Sequence, residues 1–263
     1  MTSVRDVCAR LDEIAPMRFA QSWDNVGLLA GNLDAPVRRV LLCIDLMPAV
    51  VDEAIRRNID FVLAYHPPIF KPVTRLVTPS SGMESGIVRC IANGIAVYAT
   101  HTAFDASRGG SNDTLAALCG AVKTKALLQG EDPEDGGCGR VGVLEKPTTL
   151  LRLARRLKRS VQANCVSIVG KPDNTIRRVI VVVGAAGSLP FETALGRRDA
   201  IVTGEMRHHD ALTVQRMGTN AITLSHWSSE RPGLSALAAS LKASFRGLKT
   251  ELSGRDSEPF MRV

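Results

Sequence analysis

Val40-Leu-Leu-Cys-Ile-Asp-Leu-Met-Pro-Ala-Val-Val-Asp-Glu-Ala-Ile-Arg-Arg-Asn-Ile-Asp-Phe-Val-Leu-Ala-Tyr65 contains two apolar runs separated by an amphipathic segment. Residues 40–46 are apolar apart from Asp45, the composition of a strand buried on both faces. Pro48 suits the first turn of a helix, and Val50, Val51, Ala54 and Ile55 follow it at helical spacing. Residues 61–65 form a second strand of the buried type, so the stretch reads as a βαβ unit with parallel strands.

The same alternation continues outward. A strand over 95–100 follows a helix over about 85–93. The second half predicts strands over 179–183, 200–203 and 221–225, helices over about 190–196 and 206–216, and a last helix ending near Phe245. The expected class is α/β, as two intimately joined α/β lobes with mostly parallel sheets. Gly130-Glu-Asp-Pro-Glu-Asp-Gly-Gly-Cys-Gly139, rich in glycine and acids, marks a loop. The lobe boundary is placed between 125 and 135, giving an N-terminal lobe over 1–130 and a C-terminal lobe over 131–263. The polar tail after Ser253 is expected to fray.

With 263 residues, 45% of them hydrophobic and 22% charged, the composition is that of an ordinary soluble globule able to bury a core. No apolar stretch reaches the length of a membrane span, and the first residues read as a helix instead of a targeting peptide, so a cytoplasmic protein is expected. The six cysteines are scattered singly, which argues against a zinc ribbon or a disulfide framework. A net charge of +7 bears on solubility and loose association and identifies no specific partner.

Histidine is more informative. There are five, and His66, His101 and His226 each follow a predicted strand, while His208 and His209 open a predicted helix. Ligands of open α/β sheets bind beyond the carboxyl ends of parallel strands, where side chains from separate strands converge. Asp105 lies four residues past His101 and Glu230 four past His226; Glu205 follows the strand over 200–203. Imidazole with carboxylate and without thiolate is a ligand set for zinc, manganese or iron, one ion or two. Taken singly, each histidine reads more often as a hydrogen-bonded surface or partly buried residue without a ligand; it is the set at three strand ends with paired acids that points to a metal. Glu205 reads as a general base, as a partner orienting an imidazole, or as a helix-start carboxylate. For Glu230 the expected arrangement has Ser228 as helix cap and His226 still in the loop, with Pro232 in the first turn.

Three further features are open. Gly184-Ala-Ala-Gly-Ser188 follows a strand as a phosphate-cradling turn would, but without the full fingerprint it reads as a tight turn. Arg152, Arg155, Arg156 and Arg159 share one helical face, suited to phosphate or nucleic acid and more often simply solvated. Trp23-Asp-Asn-Val-Gly27 reads as a polar turn.

In order along the chain, Ser22-Trp-Asp-Asn-Val-Gly-Leu-Leu29, Tyr65-His-Pro-Pro-Ile-Phe70, His101-Thr-Ala-Phe-Asp-Ala106 with Gly109-Gly-Ser-Asn112, Gly139-Arg-Val-Gly142, Thr203-Gly-Glu205 with His208-His209, and His226-Trp-Ser-Ser-Glu-Arg-Pro-Gly233 resemble the Nif-three-like family, the Ngg-one-interacting factor three-like proteins also named GTP cyclohydrolase 1 type 2 homologues. The resemblance spans nearly the whole chain. It implies two α/β lobes with a dinuclear metal site in the cleft between them, and a homo-oligomer, often a threefold-symmetric hexamer. It places His66, Asp105, His226 and Glu230 on metal-ligand positions and His101 on a site-lining one, with Glu205 or His101 moving protons as catalytic residues. Tyr65 stands where many bacterial members have a second histidine, so the expectation is one ion held without Tyr65. The implied activity is hydrolysis of a small-molecule or nucleotide substrate, GTP among them; the competing reading is a non-catalytic adaptor with a protein partner. Nucleic-acid binding through the arginine face is a third, and no membrane partner is expected.

Overall fold

The computed structural model describes residues 1–78, 82–130 and 136–261. In chain order its helices and strands are α1 (Val4–Ile14), β1 (Gly27–Ala30), β2 (Arg39–Cys43), α2 (Pro48–Arg56), β3 (Phe61–Ala64), α3 (Met83–Ala92), β4 (Ala96–Ala99), α4 (His101–Ala106), α5 (Ser111–Leu118), β5 (Ala121–Leu128), β6 (Cys138–Thr149), α6 (Leu150–Ser160), β7 (Ser167–Val169), β8 (Thr175–Ala185), β9 (Asp199–Glu205), α7 (His208–Met217), β10 (Asn220–Thr223), α8 (His226–Ser244) and β11 (Lys249–Leu252). They form two units, Met1–Phe104 with Leu234–Ser257, and Asp105–Gly233 with Glu258–Val263. Residues 131–135, in the expected boundary loop, lie outside the described residues.

The first unit holds a five-stranded sheet of order β1-β4-β3-β2-β11. β4, β3, β2 and β11 are parallel, and β1 runs antiparallel to β4. Every residue of β3 is buried, the cause of its unbroken apolar sequence. Val50, Val51 and Ala54 of α2 share a core cluster with Leu41, Cys43, Val62 and Ala64, each large side chain stabilising by roughly 1.5–3 kcal/mol. As far as Asp256 the tail past Ser253 is held instead of fraying as expected. Ser253 and Asp256 are buried, because the Ser253 hydroxyl donates to Glu53 and the Asp256 carboxylate accepts from the Ile44 backbone N–H at 2.8 Å.

The second unit holds a six-stranded sheet of order β5-β6-β8-β9-β10-β7. Only β8, β9 and β10 are parallel here; β5, β6 and β7 pair antiparallel, so the expected parallel majority holds for the first sheet alone. An antiparallel neighbour needs no crossover helix, and β5 and β6, consecutive in the chain, pair in that way. Residues 190–196 give only a 3-10 turn, Leu189–Glu192, instead of a helix. The Gly196 N–H donates to the Asp199 carboxylate at 2.6 Å, which turns the chain into β9. α8 starts earlier than expected. Ser225, rather than Ser228, supplies the capping oxygen, accepting from the Ser228 N–H at 3.0 Å, so His226 is helical and Pro232 lies inside the helix. Among the described residues no helix is long and apolar enough to cross a membrane.

Candidate metal centre

In the first unit, backbone pairing continues past the end of β3. Tyr65 N–H donates to Cys43 C=O at 2.8 Å and His66 N–H to Ile44 C=O at 3.0 Å, which brings His66 beside Asp45 just beyond β2. His66 Nδ1 lies 2.9 Å from Asp45 Oδ1. A carboxylate at Nδ1 fixes the tautomer whose Nε2 carries the lone pair, the arrangement common in metal-ligating histidines. Tyr65 is fully buried and its ring meets His66 edge-on, making it part of the core wall.

His101 opens α4 with φ of +30°, a conformation uncommon outside glycine, in which Asn, Asp and His are the side chains most often found. Its Nδ1 lies 2.8 Å from Asp24 Oδ1, which also accepts from the Asn25 N–H, while Asp24 Oδ2 accepts from the Thr102 N–H and hydroxyl. Burial opposes ionisation of Asp24, but the hydrogen bonds from His101 and Thr102 outweigh it and hold the carboxyl below its ordinary value of 3.8. The Trp23-Asp-Asn turn therefore has a purpose that its sequence conceals: Asp24 anchors His101, and exposed Trp23 lies edge-on to that imidazole. The Asp24→Asn variant is expected to lose about 1–3 kcal/mol at neutral pH. A depressed carboxyl contributes stability above its unfolded pKa and loses it as pH falls through the folded one, so the gap from wild type closes below the ordinary value of 3.8. Urea unfolding in steps from about pH 7 to about pH 2 checks this; a gap that does not narrow with acid contradicts it.

In the second unit three parallel strands end around one group. Glu205 ends β9, Gly184 lies at the end of β8, and His226 follows β10. His226 and Glu230 are one helical turn apart on α8, with Nε2 3.2 Å from Glu230 Oε1, and His226 Nδ1 is 3.2 Å from Glu205 Oε1. Glu230 is buried and Glu205 half exposed. Gly184 has φ of +61°, and a Cβ there would stand 2.6 Å from Glu230 Oε1 and 3.2 Å from His226 Nε2. Its N–H donates to Ser229 Oγ at 2.8 Å, and Ser229 Oγ donates to the His226 C=O at 2.8 Å. Gly184-Ala-Ala-Gly-Ser188 is thus a turn that makes room for an imidazole and a carboxylate. His226 and Glu230 place donor atoms close enough to share one ion and could hold a metal.

Asp105 is half-buried on α4, with its C=O accepting from Asn112 Nδ2 at 3.1 Å. Asn112 Oδ1 accepts from the Val183 N–H at 3.0 Å, beside Gly184. Among the described residues Asp105 forms no three-donor group with His226 and Glu230. His208 and His209 are both exposed at the start of α7. Of the arginine face on α6, Arg152, Arg155 and Arg159 are exposed, whereas Arg156 donates to the Cys119 C=O at the end of α5. Asp24, Asn112 and Ser229 lie within the quoted motifs and Asp45 lies at the end of a predicted strand, but the sequence does not reveal that they hold the candidate residues in place.

The family model Duf34/NIF3 (NGG1p interacting factor 3) matches residues 2–259. NIF3-like protein 1 of Drosophila melanogaster is 34% identical over 230 residues, covering 86% of this chain and 77% of its own. A protein of Clostridium acetobutylicum named GTP cyclohydrolase 1 type 2 homolog is 29% identical over 253 residues, covering 95% and 94%. The crystal structure of a Bacillus cereus protein related to NIF3 matches the fold with a TM-score of 0.87 at 22% identity, covering 100% of this chain and 99% of that one.

Proposed function

The chain belongs to the Duf34/NIF3 family, and from that premise we propose that it is a metal-dependent hydrolase in which His226 and Glu230 hold a divalent ion, with Asp105 of the same unit as the further ligand to test. The observation that carries the reading is the 3.2 Å separation of His226 Nε2 and Glu230 Oε1. Two donors each roughly 2.0–2.2 Å from one tetrahedral ion stand about 3.4 Å apart, so the pair already has the spacing that a shared ion requires. The donor set suits zinc, manganese or iron, and Gly184 leaves the space. When bound, such an ion supplies Lewis acidity toward a carbonyl or phosphoryl oxygen and acidifies water.

The chain's own residues do the rest. Glu205 at Nδ1 of His226 and Asp45 at Nδ1 of His66 hold both imidazoles in the tautomer with the lone pair on Nε2. His101, oriented by Asp24, moves the proton at its Nε2. Burial of Tyr65 in the core wall supports one ion instead of two. The name of the Clostridium relative makes GTP the first substrate to test.

Metal analysis of the purified protein, followed by turnover assays across nucleotides and small amides, tests the reading. Glu230→Ala and Asp105→Ala are each expected to lower metal affinity or activity at least 10- to 100-fold. Turnover equal to wild type in both variants would sink it. The family description favours a second reading, a regulatory adaptor whose metal is structural. Partner binding at full strength by metal-stripped protein, with no turnover on any substrate, would decide for it. The homo-oligomer, a hexamer by resemblance, is proposed for either reading and is checked by light scattering.

A further inference from the structure

The amino ends of β8, β9 and β10 border a cavity of about 500 Å³, at the other end of these strands from Gly184, Glu205 and His226. Asn174 immediately precedes β8, Arg197 lies just before β9, and Thr219 immediately precedes β10. With Lys171 and Gln215 they make a lining of two cations, two amides and a hydroxyl, and no acid. Of the carboxylates nearest in sequence, Asp173 is exposed and outside the lining and Asp199 is held by Arg178, and among the described residues neither Lys171 nor Arg197 has an ion-pair partner. Two uncompensated cations at one concave site form an electrostatic trap for an anion.

The wall is preorganised. Fully buried Asn220 donates to the Arg197 C=O at 3.0 Å and the Asp199 C=O at 2.8 Å, and accepts from Asn174 Nδ2 at 2.7 Å. Gly170 lies against this network with φ of +114°, where a Cβ would stand 2.4 Å from Asn220 Oδ1. The carboxyl end of α7 opposes an anion by roughly 0.3–1 kcal/mol. Its carbonyls at Val214 and Gln215 are capped by the Thr219 and Gly218 N–H groups, and two full charges outweigh what remains.

We propose that this cavity is a second binding site, separate from the candidate metal centre, for a small molecule carrying a phosphate group. Lys171 and Arg197 hold the phosphate, and Asn174, Gln215 and Thr219 face its hydroxyl-bearing remainder. The volume falls within the usual range of about 300–1,000 Å³ for small-ligand sites, whereas an extended polyanion would need a basic stripe. The test is calorimetric titration of the full-length chain, chelated so that anions cannot bind a metal, with inorganic phosphate and pyrophosphate. Saturable binding is expected, weakened about tenfold or more in Lys171→Ala and in Arg197→Ala and unchanged in Arg152→Ala. Absence of saturable binding overturns the proposal, as does equal binding by all three variants. So does binding of duplex DNA, without phosphate, that the same two substitutions remove. Both variants are on exposed side chains, so their folding is checked by unchanged melting without ligand.

Discussion

Replacing Arg140 with alanine is expected to destabilise the protein by about 3–5 kcal/mol, the range for removing one partner of a buried ion pair. Arg140 is 2% exposed. Its guanidinium donates to both oxygens of Asp113, at 2.7 and 3.1 Å, and to the carbonyls of Gly137 and Gly139 at 2.8 Å and Ser107 at 2.9 Å. The substitution strands a partly buried carboxylate and three carbonyls at once, and each lost acceptor costs more than the bond contributed. Asp113 also accepts from the Gly109 N–H at 2.7 Å, so the segment between α4 and α5 loses its anchor. That segment leads into Asn112, which ties Asp105 to the end of β8. The loss should therefore reach metal affinity as well as folding. Lysine should rescue little, because an ammonium cannot reproduce the planar fork on Asp113. Chemical denaturation of Arg140→Ala, Asp113→Ala and the double variant measures it: the single losses should sum to well above the double. A loss under about 1 kcal/mol for Arg140→Ala would contradict the buried-pair argument.

β2 and β3 are legible in the sequence because both faces of each are covered, which leaves no polar position to interrupt the run. β11, Lys249-Thr-Glu-Leu252, has only one apolar residue and lies at a sheet edge, and β2, far earlier in the chain, makes it a strand. β5 is similar: Lys123, Thr124 and Lys125 are exposed, and the pairing with β6 that defines it comes from outside. The candidate site divides the same way. His226 and Glu230 are readable as a histidine past a strand with a carboxylate four residues on, although the sequence leaves His226 in the loop, and the histidines at strand ends are readable from the class of sheet. Asp24 and His101 lie 77 positions apart, and no local pattern announces their hydrogen bond. The expectation of fraying fails at Asp256 for the same reason, since that residue is polar in composition but has a buried backbone donor, Ile44, to satisfy.

Gly184→Ala offers the sharpest separation between a fold that merely carries histidines and one shaped around an ion. Two costs are predicted. The φ of +61° would force alanine into the left-handed region at roughly 1–2 kcal/mol. The new Cβ would also meet Glu230 Oε1 at 2.6 Å. A flexible exposed glutamate could swing aside, but Glu230 is only 3% exposed and sits one turn from His226. The carboxylate must leave its 3.2 Å position beside Nε2, and metal affinity should fall about 10- to 100-fold. Gly187 in the same turn is the control: its φ is +54°, and a Cβ there meets nothing within 4 Å. Gly187→Ala should show the backbone cost alone, with metal affinity unchanged. Metal titration of the two variants, read beside their denaturation midpoints, decides the matter. If both lose affinity equally, the backbone of the turn and not the space beside Glu230 governs binding; if neither does, His226 and Glu230 are an ion pair of the fold and the metal lies elsewhere.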